Sequence, residues 1–184
     1  MTEQCEIFLS HCPTPGYAID VGANDGLYLS NTIDLEKAGW HVLCIEPNPA
    51  YGFDLWVNRK EVVIGAVSDT SGEVNFYPRV TDNNKYAAYS SLTPHPDGFV
   101  FPVAVRTLDE YLAIWNPPQL DLLTVDVEGW EKKVLAGFDI NRWKPKVICL
   151  EDWATFSGTY AAELPDYELI KMVNGLDHVY VRKV

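Results

Sequence analysis

Chemistry-bearing side chains in this chain fall where apolar runs stop. The segment AIDVGANDGLY carries an apolar run into a turn with small residues at Gly22, Ala23 and Gly26, after which helix-compatible sequence begins. A turn of this kind lets a ligand approach the backbone and aims helix N-terminal amides at it, although the same pattern also makes a turn with no ligand. Glu46 closes the run HVLCIEPNP, twenty residues beyond Gly26. A carboxylate at the end of a second strand is where doubly wound sheets hydrogen-bond the ribose hydroxyls of an adenosine-containing cofactor. Asp126 closes LLTVDVEGW, with Glu128 and Glu131 just beyond, and Glu151 closes KVICLE.

The turn also narrows the choice of cofactor. It reads DVGANDG and not GxGxxG, because Asn24 stands where a small middle residue would let a pyrophosphate lie against the backbone. This argues for a cofactor without phosphates. Asp20 or Asp25 would face an ammonium group well and would repel a diphosphate. A nicotinamide-dependent oxidoreductase would further need a catalytic Tyr/Lys or His pair, and none occurs at useful spacing.

These residues need a scaffold, and the chain outlines one. Strand-like runs at Tyr17 to Val21, His41 to Glu46, Glu61 to Ser68, Leu120 to Asp126 and Lys146 to Glu151 alternate with helix-compatible segments, the signature of βαβ units on a parallel sheet. The first helix is expected over Leu29 to Ala38, ended by Gly39, and the second from Asn48 or Pro49 to Arg59. TSGEVNFY reads as a turn and an extra strand. From Pro78 to Pro102 the chain is polar, aromatic and loop-like, an insertion whose Tyr86, Tyr89, Ser90, Ser91 and His95 are candidate contacts on the acceptor side. Thr107 and Glu110 form a capping-box pattern opening a short helix, EGWEKKVLAGF is a helix ending at Gly137, and the tail reads as two strands joined at NG.

Composition excludes several classes. With 14 basic against 26 acidic residues and a net charge of −12, a nucleic acid or an anionic membrane would be repelled. Neither is expected as a partner. No apolar run reaches the roughly 18 to 20 residues of a membrane helix, and the start MTEQCEIFLSHCP lacks the pattern of a signal peptide, so a cytoplasmic location is expected. The length of 184 residues fits a single domain. Cys5, Cys12, Cys44 and Cys149 lack metal-site spacing, and Cys44 and Cys149 read as buried thiols.

The segments IDVGANDGLY, LCIEPNP, AVSDTSGEVNFY, RTLDEYL and LLTVDVEGWEKKVLAGF resemble, in order, the motifs of the FkbM family of S-adenosylmethionine-dependent methyltransferases. The resemblance covers about residues 17 to 151, and YELIKMVNGLDHVYVRK resembles that family's last two strands. It implies an α/β, Rossmann-like class I methyltransferase fold, a mostly parallel seven-stranded sheet with an antiparallel last strand, and O-methylation of a sugar or small-molecule hydroxyl. It also implies site residues. Gly22, Asn24 and Gly26 would line the methionine and ribose, with Ala23 and Pro47 beside them and Asp20 close to the ammonium. Glu46 would hold the ribose hydroxyls, Ser68 and Asp69 would border the adenine, and Asp126 would face the methyl group and the acceptor, with Glu128 nearby. Residues 1 to 16 are short beside the family's usual N-terminal helices, which leaves the acceptor pocket open or completed by a partner chain; a homo-oligomer is one such arrangement. The alternative to an enzyme is a degenerate domain that binds the cofactor, or a partner protein, without catalysis.

For methyl transfer to a hydroxyl, a base must take the proton as the new bond forms, and Asp126, Glu128, Glu131, Glu151 and His95 are the candidates. Asp126 is favoured because it ends a central strand. Glu131 is expected to be a solvated helix charge. The same carboxylates could hold a divalent cation, yet no metal is predicted. Trp130 and Trp153, each just beyond a strand end, would suit a sugar ring, whereas Trp40, Trp56, Trp115 and Trp143 read as packing residues.

Overall fold

A computed structural model describes residues 1–78, 90, 92, 94, 100–152 and 159–183. In chain order the elements are α1 (Glu3–His11), β1 (Tyr17–Val21), α2 (Ile33–Lys37), β2 (His41–Glu46), a 3-10 turn (Pro49–Tyr51), α3 (Gly52–Asn58), β3 (Glu61–Ile64), β4 (Ala66–Val67), β5 (Gly72–Phe76) and β6 (Phe101–Arg106). There follow α4 (Leu108–Trp115), β7 (Leu122–Val125), α5 (Glu131–Ala136), α6 (Ile140–Trp143), β8 (Val147–Glu151), a second 3-10 turn (Thr159–Ala161), β9 (Tyr167–Val173) and β10 (Asp177–Arg182).

Seven strands form one sheet in the order β3-β2-β1-β7-β8-β10-β9. Pairing is parallel from β3 to β8, and β10 runs antiparallel to both β8 and β9. The expected mostly parallel, seven-stranded sheet with an antiparallel last strand is therefore present. Because β1 has β2 on one side and β7 on the other, the strand order reverses there and a crevice opens at the carboxyl ends. Every residue of β7 and β8 is buried, as a strand covered on both faces requires. Alternate side chains feed two cores: Ile19, Val21, Leu123 and Ile148 pack on one face, and Ala18, Cys44, Leu122 and Cys149 on the other.

Four local differences from the sequence reading have physical causes. The helix expected from Leu29 begins only at Ile33, because Asp25 Oδ1 accepts the N–H groups of Leu27 and Tyr28 and Ser30 Oγ accepts those of Thr32 and Ile33. These local bonds compete with the helix ladder. The single strand expected over Glu61 to Ser68 breaks at Gly65, where a Cβ would stand 2.5 Å from the Tyr111 hydroxyl. Past that break, β4 leaves the main sheet for a second one of order β4-β6-β5. Strand β6 begins at Phe101, inside the end of the segment read as a loop, and α1 occupies much of the short extension, burying Cys5, Phe8 and Cys12. All four cysteines are buried and free. None of the described helices is long and apolar enough to cross a membrane.

Candidate active site

The crevice is a cleft of about 900 Å³ at the carboxyl edge of the sheet. One end is built by the turn after β1. Gly22 and Ala23 donate their N–H groups to the Ile45 carbonyl at 2.9 and 3.2 Å, and Asp126 N–H bonds the Val21 carbonyl at 2.9 Å, so the ends of β1, β2 and β7 are laced together. Gly22 is required here: its φ is +88°, and a Cβ would lie 1.8 Å from the Asp126 carbonyl oxygen.

Glu46 is 6% exposed, and each of its oxygens accepts one backbone N–H, Oε2 from Asn24 at 2.9 Å and Oε1 from Asn48 at 2.8 Å. Asn24 reaches that position with a left-handed φ of +53°. Each carboxylate oxygen thus keeps a lone pair for a hydroxyl donor in the cleft. Burial pushes the Glu46 carboxyl up to about 7 against the lowering effect of its two amide donors.

Arg59 supports this end from behind. It is buried, with Nε 2.6 Å from Glu36 Oε2, Nη2 donating to Thr32 Oγ1 at 2.8 Å, and Nη1 reaching Ser30 Oγ at 3.2 Å and Asp20 at 3.7 Å. Asp20 lines the cleft, but its carboxylate is also engaged by Thr32 and Arg59. Gly26 does not line the cleft as expected; its face is taken by Arg59 and Leu55, 2.6 and 2.9 Å from where a Cβ would stand.

The other end is acidic. Asp126, Glu128 and Glu151 each offer a carboxylate oxygen, and these lie within 4.8 Å of one another. Asp126 follows β7, Glu151 ends β8, and Glu128 and Gly129 turn the chain with φ of +56° and +93°. Burial pushes the Asp126 carboxyl up, and burial together with the adjacent Asp126 pushes the Glu151 carboxyl up further. Glu131 is not the solvated charge expected. It is 3% exposed, its Oε1 accepts the N–H groups of Val127 and Gly129, and its Oε2 faces the Tyr160 hydroxyl at 3.5 Å. Its carboxylate fixes the turn that presents Glu128.

The remaining expected residues separate. Ala23, Asn24, Pro47, Ser90 and Trp130 line the cleft. Ser68 and Asp69 do not: Ser68 is buried, accepting the Trp130 indole N–H and donating to Asp69, and Asp69 pairs with Lys133 at 2.6 Å. Gly65, Ala66 and Val67 take that stretch of wall instead. His95, Ser91, Trp153, Tyr86 and Tyr89 lie outside the described residues. Sequence reading passed over Tyr28, Leu29, Tyr51 and Asp54 on the cleft wall, and Arg59 behind it. Tyr51 ends the 3-10 turn and Asp54 lies in α3 just beyond it, so proximity to Glu46 in the chain is the available signal.

A sequence model of the methyltransferase FkbM domain matches residues 20–172. The chain belongs to the FkbM methyltransferase family. A curated relative, the 2-O-methyltransferase NoeI of Sinorhizobium fredii, is 26% identical over 176 aligned residues, covering 83% of this chain and 72% of that protein. The fold is shared with a precorrin-6y C5,15-methyltransferase of Geobacter metallireducens, at a TM-score of 0.54 and 15% identity over 98% of this chain and 87% of that one. A TehB-like SAM-dependent methyltransferase of Corynebacterium glutamicum aligns with a TM-score of 0.53, also at 15% identity and the same coverage. This FkbM chain is thus a methyltransferase of the Rossmann-like class I architecture.

Proposed function

We propose that this protein transfers a methyl group from S-adenosylmethionine to a hydroxyl of a carbohydrate or other small-molecule acceptor. The observation that carries the reading is a buried strand-end glutamate, with acceptor positions left over, paired with a cleft whose described lining has no basic group. Among the described residues that line it there is no lysine, arginine or histidine, while Asp20, Asp25, Glu46, Asp54, Asp126, Glu128 and Glu151 are all present. Such walls suit a cofactor that carries a sulfonium and an ammonium and has no phosphate. Glu46, with one lone pair left on each oxygen, would accept the two ribose hydroxyls. When bound, the cofactor supplies an electrophilic methyl on sulfur.

The chain's own part is alignment and proton removal. Asp126, just past β7 at the acidic end, would take the acceptor's proton as the new bond forms; Trp130 adds an aromatic side chain to the cleft wall. A carbohydrate acceptor agrees with the name of the NoeI relative only as far as O-methylation goes; the choice of sugar over other hydroxyls rests on the acidic, aromatic wall. The test is transfer of labelled methyl from S-adenosylmethionine to a panel of glycosides and small alcohols. Transfer is expected with wild type and should fall roughly a hundredfold to ten-thousandfold in Asp126→Asn, with S-adenosylhomocysteine binding retained. Full turnover by that variant would remove Asp126 as the base, and no transfer to any hydroxyl would remove the reading.

A further inference from the structure

We propose that the acceptor end of the cleft binds one hard divalent cation through Asp126, Glu128 and Glu151. Each residue contributes one oxygen, and the three lie within 4.8 Å of one another although they come from two strand ends and a turn. Oxygens around an octahedral magnesium ion stand about 3.0 Å apart when cis and about 4.2 Å when trans, so side-chain rotations that draw the three oxygens inward would close the set on an ion.

A second observation points to a ligand at this place. Glu151 lines the cleft and is 8% exposed, and its Oε2 has no hydrogen-bond partner. A buried carboxylate oxygen left without a donor costs free energy, and neighbouring carboxylates make the cost larger. Glu46, equally buried at the other end, is satisfied by two backbone amides, so the fold supplies donors where it uses a carboxylate as an acceptor.

Among the described residues that line the cleft there is no lysine, arginine or histidine. Lys132 and Lys133, the basic residues nearest in sequence, turn away to Glu163 and Asp69. Arg59 is committed to Asp20 and Glu36. An all-oxygen donor set selects magnesium, manganese or calcium over softer ions.

The cation's role rests on the reading of this cleft as a site of O-methylation; its binding does not. Two neighbouring acceptor hydroxyls would complete the coordination shell, and the one to be methylated would become more acidic on the ion. Its O–H bond breaks with the proton passing to Asp126, the O–CH₃ bond forms as the S–CH₃ bond breaks, and the leaving sulfur keeps the electron pair.

The proposal is tested with manganese alone, titrated into the purified chain and followed by the electron paramagnetic resonance of the free ion, with magnesium as competitor. One site is expected, displaced by magnesium, weakened at least tenfold in both Glu128→Gln and Glu151→Gln and unchanged in the exposed control Glu73→Gln. Melting curves establish that each variant is folded, and having two ligand variants keeps the test open if one fails. S-adenosylhomocysteine binding, measured on the same samples, separates this proposal from the cofactor reading. Absence of a manganese site, or a site indifferent to both substitutions, overturns it, and then a shared proton is what holds Asp126 and Glu151 together.

Discussion

The two ends of the cleft are each anchored by a glutamate that closes a buried parallel strand, and the fold treats the two in opposite ways. Glu46 ends β2 and accepts one amide N–H from Asn24 in the turn after β1 and one from Asn48 in the turn after β2; Glu151 ends β8 and meets Asp126 and Glu128. Their exposures are nearly equal, 6% and 8%, yet the Glu151 carboxyl is pushed up further than that of Glu46. Burial is common to both, so the difference lies in the neighbours: donors at one end, further carboxylates at the other. What surrounds a strand-terminal glutamate at the crevice therefore depends on the turns of the neighbouring strands, which bring amide donors to Glu46 and carboxylates to Glu151.

The comparison can be broken most strongly at Arg59. It is the buried cation behind the Glu46 end, and the acceptor end has no equivalent among the described lining residues. Arg59→Met leaves the Asp20 and Glu36 carboxylates buried without their cation, Asp20 keeping only Thr32 and Glu36 only the Lys60 amide, and should cost about 3–5 kcal/mol in denaturant unfolding, with loss of cofactor binding. Removing Lys132, whose ammonium is exposed where it pairs with the half-buried Glu163, should move the unfolding midpoint far less. An Arg59 variant as stable as wild type would show that this scaffold is unnecessary.

A smaller contrast separates the two turns. Gly22→Ala combines a positive φ with a Cβ 1.8 Å from a carbonyl oxygen and should cost about 1–3 kcal/mol, with weakened ligand binding. At Gly129, φ is +93° but nothing lies within 4 Å of a Cβ, so alanine there should cost about 1 kcal/mol and spare the cofactor end. Equal effects at the two glycines would contradict the crowding seen at Gly22.

The smallest expected effect is in pH. Because the Glu46 carboxyl is raised to about 7 in the folded protein, its contribution to stability is fully present below its unfolded value and is lost as pH rises through 7. Cofactor binding has the opposite slope, since the ionised carboxylate is the better acceptor for ribose hydroxyls. Affinity for S-adenosylhomocysteine should fall roughly tenfold per pH unit below 7, and the slope should vanish in Glu46→Gln. A flat profile in wild type would mean that Glu46 is not the group read by the ribose.

Much of this architecture is legible in local pattern. The bounds of β2 follow directly from HVLCIE, and Thr107 and Glu110 form the expected capping box, with reciprocal bonds of 3.2 and 3.1 Å. What escaped reading depends on contacts distant in sequence. Gly26 looks like a ligand-side glycine until Arg59 and Leu55 are seen against it, and Glu131 looks solvated until the turn at 127–129 and Tyr160 close over it. Gly65 ends β3 because Tyr111 from α4 occupies the space its side chain would need. Ser68 and Asp69 were placed at the adenine by family pattern, but here they serve Trp130 and Lys133.

The central claim is that Glu46 and the turn after β1 hold S-adenosylmethionine. Calorimetric titration with S-adenosylmethionine and S-adenosylhomocysteine, with NAD as a control and Glu46→Ala beside wild type, tests it most directly. Micromolar binding of both sulfur ligands, no binding of NAD, and loss of binding in the variant are expected. Failure of wild type to bind either ligand, or undiminished affinity in Glu46→Ala, would contradict it.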